Sequence, residues 1–355
     1  MERKDRLYLD VVKGIAVFLM IWGHCIQYCD ITGSFFENPV MKMIYSFHMP
    51  LFMLVSGYLF FFSFRKRDLK TLLIHRVQGI LQPIIFGTVL TNLLWALMSY
   101  ALSSADVHLK LINGRLLSGV TDVFWFLWCV LASGVTVAIS CKITQKPLLQ
   151  AVLLIGGIGF VAIFPGMDYQ WYMYPYFVFG FLFAEYKGSL AKYVQKFQYW
   201  VLPIFPAMLP FYRMEHYIYI TPMYSPELGI AGSLKIAAFR YAIGLAGSLF
   251  VLVLLDILFR LPERNRTVPK LLTAVSRLGE NSLQIYVISV PLLSMYLSVI
   301  YDKVTAVLGF PLFGEDPWML GLLYAPVLSV IYAVGLYMVL MLLKRLGIHS
   351  LVFGR

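Results

Sequence analysis

The sequence predicts an all-α fold: a polytopic integral membrane protein of about ten transmembrane helices, forming a single domain over residues 1–355. Three observations lead there. The 355 residues are 60% hydrophobic and only 13% charged, with a mean hydropathy of +0.77, a balance that a water-soluble globule does not carry. The apolar stretches approach the ~20 residues that a helix needs to cross a bilayer, and they lack the short alternating pattern of barrel strands. Basic residues gather in alternate connections, as the positive-inside rule requires of a multi-pass chain.

In order, the spans are 7–28, 43–64, 77–102, 121–141, 148–164, 172–186, 198–212, 235–259, 280–301 and 318–343. The first follows Arg3, Lys4 and Arg6, and the second stops at the cluster Arg65, Lys66 and Arg67. The third begins after Lys70 and Arg76; the fourth and fifth are separated by Lys142 and Lys146. Lys187, Lys192 and Lys196 part the short sixth and seventh spans. The basic run 260–277 parts the eighth and ninth, and Lys344 and Arg345 close the tenth. Apart from Lys13 inside the first span, every Lys and Arg falls on this side except Lys42, Lys110, Arg115, Arg213, Lys235, Arg240 and Lys303. Both termini are therefore expected on the cytoplasmic face of a bacterial cytoplasmic membrane. Topology and anionic membrane lipids account for the net charge of +11, so no nucleic-acid partner is expected.

The n-region resembles that of a signal peptide, but the apolar stretch behind it is long and no small-residue cleavage pattern follows, so a retained first helix is expected. Cys25, Cys29, Cys129 and Cys141 lack metal-ligand spacing, and no metal is expected. Cys25 and Cys29, four residues apart, read as lipid-facing filler rather than a redox pair. No internal repeat or low-complexity tract is evident. The Pro- and Tyr-rich connection at about residues 212–234 reads equally as a lid or as a plain connector.

The first span carries the chemistry. At ~100° per residue, Lys13 and His24 fall within about 20° of each other, and Asp10 lies about 40° from His24, so all three share one face. Ionisable groups at bilayer depth cost several kcal/mol without partners or water, which makes such a stripe a functional-site hypothesis. In isolation, Asp10 and Lys13 also read as a simple ion pair at the helix start. A rise of ~1.5 Å per residue puts His24 ~25 Å from the cytoplasmic start, and His48, entering the second span from outside, lies at a similar height. Each imidazole is either a general base or a helix-packing histidine. Arg76, expected where the third helix begins, suits phosphate binding as well as positive-inside signalling.

The chain resembles the membrane-bound acyltransferase family 3, which acylates bacterial surface glycans and related acceptors. One matching segment is Arg6-Leu7-Tyr8-Leu9-Asp10-Val11-Val12-Lys13-Gly14-Ile15-Ala16 with the later Gly23-His24. A second runs Phe47-His48-Met49-Pro50-Leu51-Phe52 to Ser56-Gly57. Weaker matches are Phe124-Trp125-Phe126-Leu127, Tyr176-Phe177-Val178-Phe179-Gly180 and Leu278-Gly279-Glu280-Asn281-Ser282, and in this order they cover nearly the whole chain.

The resemblance implies transfer of an acyl group, with acetyl-CoA the expected donor, from the cytoplasmic side to a hydroxyl of an extracytoplasmic glycan or lipid-linked sugar. His24 matches the proposed catalytic histidine, Lys13 the basic residue heading the first helix, and Arg76 the first arginine of an Arg-x-x-Arg donor motif; Asp10 and His48 complete the candidate catalytic set. Two positions depart: Gly79 stands where a second arginine is expected, and Ser289 where many members have histidine. With no esterase-like domain expected after the tenth span, transfer is expected to finish within the membrane domain or on a separate partner. A direct attack and an acyl-histidine relay both suit these residues. The rival classes are a transporter or flippase of an envelope precursor, since Asp, Lys and His also build proton pathways, and a non-catalytic scaffold. Trp125, Trp171, Tyr172 and Tyr174 suit stacking on sugar rings, though an interfacial aromatic belt explains them as well.

Overall fold

The computed structural model describes residues 3–102, 119–144, 146–260, 267–293, 297–309, 313 and 316–353, with no strand among the described residues. The helices are α1 (Arg3–Cys29), α2 (Pro39–Lys66), α3 (Leu69–Leu102), α4 (Trp125–Ile143), α5 (Pro147–Val161), α6 (Met167–Phe197) and α7 (Val201–Met208). They continue as α8 (Gly229–Arg260), α9 (Thr267–Glu280), α10 (Ser282–Leu292), α11 (Ser298–Leu308), α12 (Pro317–Arg345) and α13 (His349–Phe353). Among the described residues six are long and apolar enough to cross a membrane: α1, α2, α4, α8, α12 and the Leu69–Leu94 part of α3.

The other expected spans take different shapes. The fifth is the shorter apolar α5. The sixth lies inside the 31-residue α6, whose second half is rich in lysine. The seventh, 198–212, is broken into a 3-10 turn, α7 and a second 3-10 turn at Leu209–Phe211, where Pro210 removes a backbone donor. The ninth is shared between α10 and α11, with 294–296 outside the described residues. The basic run 260–277, expected as a connection, holds most of the amphipathic α9. Leu272, Val275 and Gly279 recur at three- and four-residue spacing and form its inward face.

Two crossings of bare backbone hold the bundle. A Cβ added at Gly14 on α1 would strike the Val275 carbonyl, and one at Gly279 would strike the Asp10 carbonyl. Between α2 and α6, Gly57 lies against the Phe177 carbonyl and Gly180 against that of Leu54. Lipid is as apolar as a leucine face, so close backbone approach is what discriminates one helix neighbour from another. Trp22 adds a polar tie, donating its indole N–H to the Gly321 carbonyl at 2.8 Å in the π turn that interrupts α12.

Cys25 and Cys29 are buried in the core rather than turned to lipid, correcting the sequence expectation. Their face of α1 is covered by other helices, which periodicity alone does not reveal.

Candidate functional site

The site begins where α1 crosses α9. Gly279 packs onto the Asp10 backbone, and the Asp10 carboxylate is buried. Lys13 Nζ lies 2.7 Å from Asp10 Oδ1, and the exposed Arg6 adds a longer 3.9 Å contact to Oδ2. The ion pair is therefore real, and it leaves Lys13 facing a cavity of about 250 Å³. Ser56, Met49 and Phe52 of α2, His75, Arg76 and Gly79 of α3, Phe126 and Val130 of α4, and Ser282 and Tyr286 of α10 share its walls.

Arg76 lines the same cavity from a position that the sequence misjudged. The third helix begins at Leu69, not near residue 76, because the Asp68 carboxylate accepts the Thr71 N–H at 3.0 Å and caps the helix start. That bond holds the Asp68 carboxyl below its ordinary pKa. Arg76 thus lies seven residues inside α3, ~10 Å from its first turn, and the free N–H groups of the helix start are not its neighbours.

Its guanidinium lies over the rings of Phe60 and Phe177, at 5.0 and 5.9 Å, and reaches the Val130 carbonyl only at 3.5 Å. Its Nε is buried without a hydrogen-bond partner, and none of the ion pairs among the described residues includes it. Gly134 makes room for the head group, since an added Cβ there would sit 2.9 Å from Nε. Gly79 has nothing within 4 Å of its added Cβ, so the position of the missing second arginine is open space beside the cavity.

His24 and His48 lie farther along. Eleven residues of α1 separate Lys13 from His24, a rise of ~16 Å. His24 Nδ1 is 3.1 Å from Gln27 Oε1, and the ring stacks on Tyr28 at 5.8 Å. His48 is buried, with Nδ1 2.9 Å from the Ile44 carbonyl and its ring 4.7 Å from that of Tyr45. The Ile44 carbonyl can only accept, so His48 Nδ1 donates to it and the neutral ring keeps its lone pair on Nε2, whereas the Gln27 amide serves His24 Nδ1 as acceptor or donor and suits either tautomer. Gly23, packed against the Tyr45 ring, brings α1 and α2 close enough for the two imidazoles to interact electrostatically.

Neither histidine lines the cavity of Lys13 and Arg76, but Met49, next to His48, does. Ser289 is buried, and its hydroxyl donates to the Tyr286 carbonyl of its own helix at 2.9 Å.

Over this end of the bundle lies the connection between α7 and α8, and it is built rather than loose. Arg240 of α8, 1% exposed, donates to the carbonyls of Thr221 at 2.6 Å, Glu215 at 2.8 Å, His216 at 2.9 Å and Tyr217 at 3.2 Å. Asp168 accepts the Met223 N–H at 2.7 Å, and Tyr217 donates to the Phe36 carbonyl at 2.9 Å.

Held this way, the loop places Tyr219 between the rings of Tyr45 at 5.8 Å, Tyr169 at 5.8 Å and Trp125 at 6.0 Å. Of the four aromatic residues singled out in the sequence, only Trp125 joins this group. Trp171 donates to the Ile158 carbonyl, Tyr174 to that of Leu154, and Tyr172 packs edge-on against Tyr176.

His75 in the cavity escaped the sequence reading, and Ser56 and Tyr286 in the cavity and Arg240 above it were not among its candidate site residues. His75 and Arg240 carry a local signal, an imidazole beside Arg76 and a cation inside an apolar span. No group of His, Cys, Asp and Glu able to hold a metal occurs among the described residues.

Comparison with known proteins adds a family. A family profile described as an acyltransferase domain matches residues 6–343. Nodulation protein NolL of Mesorhizobium japonicum is 30% identical over 189 residues, covering 50% of this chain and 48% of the relative. The protein of the same name from Sinorhizobium fredii is 32% identical over 185 residues, with the same two shares. The chain therefore spans about half the length of the curated relatives it matches. No solved structure matches.

Proposed function

The chain belongs to the acyltransferase family whose profile spans residues 6–343, and from that premise we propose that it is a membrane O-acyltransferase working across the bilayer. In this reading both termini lie in the cytoplasm, and the shorter helices α5, α6, α7 and the α10–α11 pair complete a ten-pass topology. Cytoplasmic acetyl-CoA is the donor, and a hydroxyl of an extracytoplasmic glycan or lipid-linked sugar is the acceptor.

One observation carries the proposal. Arg76, a guanidinium without a carboxylate partner among the described residues, shares a cavity with Lys13 at the basic end of the bundle, and the imidazoles of His24 and His48 lie above it. An unpaired buried cation is costly, and an anionic ligand removes that cost. Lys13 and Arg76 hold the donor's phosphate end, and the pantetheine arm runs up between α2, α4 and α10. Seven residues of α2 separate Ser56 from Met49, so the cavity wall covers ~10 Å of that path.

His24, oriented by Gln27, accepts the acceptor's hydroxyl proton on Nε2 while the oxygen attacks the thioester carbonyl carbon. As the tetrahedral intermediate collapses, the C–S bond breaks and the proton passes from the imidazolium to the departing thiolate. His48, whose one ring proton is engaged by the Ile44 carbonyl, offers only an acceptor nitrogen and so favours the positive charge that grows on His24 rather than the oxyanion. Asp10 positions Lys13.

His24→Ala is expected to lower acetyl transfer by ~100-fold to ~10,000-fold, the range for a lost general base, with membrane insertion unchanged. Transfer from radiolabelled acetyl-CoA by purified protein in lipid nanodiscs measures this. Normal activity in that variant removes His24 from the mechanism.

A further inference from the structure

Arg240 stands apart from the donor cavity, yet it is among the largest fully buried side chains in the molecule. A cation in an apolar helix normally seeks a carboxylate, whereas its bonds within 3.2 Å all go to backbone carbonyls of one loop. Five N–H donors in a fixed fork suit such a cluster of carbonyls, and lysine cannot reproduce it. The outcome is a loop whose backbone is fixed at residues 215, 216, 217 and 221, with Tyr219 between the fixed points.

Tyr219 is placed unusually for a loop side chain. Three rings from α2, α6 and the start of α4 surround it, yet it keeps 40% of its surface accessible. Through Tyr45 it adjoins His48, and it is within electrostatic reach of Tyr286 on the wall of the donor cavity. An accessible aromatic face thus stands between the outer surface and the imidazoles, on a backbone fixed before any ligand arrives.

We propose that Tyr219, with Trp125 and Tyr169, is the surface on which a pyranose ring of the acceptor packs, and that Arg240 is the positioning residue that holds it there. The proposal rests on the acyltransferase reading for the direction from which the acceptor enters. Aromatic rings bind the apolar face of a saturated ring by contact area, and pre-fixing the loop removes the cost of ordering it.

The test uses the full chain in nanodiscs, acetyl-CoA as donor and two probe acceptors: n-octyl β-D-glucopyranoside and triethylene glycol mono-octyl ether, which offers a hydroxyl without a sugar ring. Tyr219→Ala and Arg240→Met are expected to raise the KM for the glucoside roughly tenfold, with the KM for acetyl-CoA and kcat within about threefold of wild type. Tyr219→Phe, which keeps the ring, recovers the glucoside KM to within about threefold, and none of the three changes the KM for the ether. Tyr219→Ala guards against misfolding of Arg240→Met, because it removes a partly accessible side chain.

An unchanged glucoside KM in Tyr219→Ala, or equal losses with glucoside and ether, overturns the proposal. So does a wild-type chain that hydrolyses acetyl-CoA but never acetylates the glucoside, an outcome that leaves the acyltransferase reading standing. A wild-type chain that neither binds nor consumes acetyl-CoA overturns that reading itself.

Discussion

At the scale of single residues, the site is made of polar groups whose partners are fixed by geometry. Gln27 holds the Nδ1 side of His24 and the Ile44 carbonyl that of His48, and each partner is a neighbour three or four residues away on the same helix. Of such local relations the sequence reading found the Asp10–Lys13 pair three residues apart, whereas the Gln27 and Ile44 partners of the histidines emerged only in the structure.

His216 was not singled out, and it makes a testable switch of loop stability. Its Nδ1 accepts the Arg213 N–H at 2.9 Å, and its ring packs on Phe239 at 4.4 Å. Burial, with help from the nearby Arg240 and Arg213 charges and against the pull of Glu215, lowers its pKa below the ordinary 6.5. A second proton has to go on Nδ1 and breaks that bond. Below about pH 6.5 the undocked loop therefore binds more protons than the docked one, so docking is favoured above that pH and weakens as pH falls toward the lowered value. Limited proteolysis of the loop is expected to speed up several-fold between pH 7 and pH 5. In His216→Asn, which keeps an acceptor near Nδ1 but does not titrate there, the rate stays flat across that window.

At the scale of elements, glycine decides which helices touch. The α1–α9 crossing depends on Gly14 and Gly279 meeting backbone to backbone, and it sets the height and rotation of Asp10 and Lys13 against the cavity. Gly279→Ala is expected to destabilise the protein by about 1–3 kcal/mol, since the new methyl group overlaps the Asp10 carbonyl and helices have to separate. Gly188→Ala is the control: this exposed α6 glycine has open space around it, and the same substitution is expected to add about 0.5–1 kcal/mol through helix propensity. Chemical denaturation followed by tryptophan fluorescence distinguishes the two signs. The Leu-Gly-Glu-Asn-Ser segment was visible in the sequence as a motif. Its reason was not, because α9 had been read as a basic connection and its partner lies some 265 residues away on α1.

At the scale of the whole molecule, the arrangement is a bundle with polar groups spread along its axis: the cavity of Lys13 and Arg76 at the basic end, imidazoles above it, and an anchored aromatic loop at the far end. That axis makes a topological prediction. A cysteine introduced as Lys66→Cys is expected to react with a membrane-impermeant maleimide only in inside-out vesicles, and one introduced as Glu227→Cys only in right-side-out ones. Labelling of both from the same side breaks the transmembrane relay.

The sequence by itself determined the helical membrane class, most of the apolar segments and the polar stripe of α1, because hydropathy and the 3.6-residue period are properties of neighbours along the chain. Only the tertiary structure decided that Lys13 and Arg76 share a cavity, that Arg240 gathers the carbonyls of a loop and that Tyr219 stands beside the ring next to His48. Hydropathy does not distinguish a leucine facing lipid from one facing protein. Which helices become neighbours is decided instead by close backbone approach and by the pairing of buried polar groups, and both join residues far apart in the sequence.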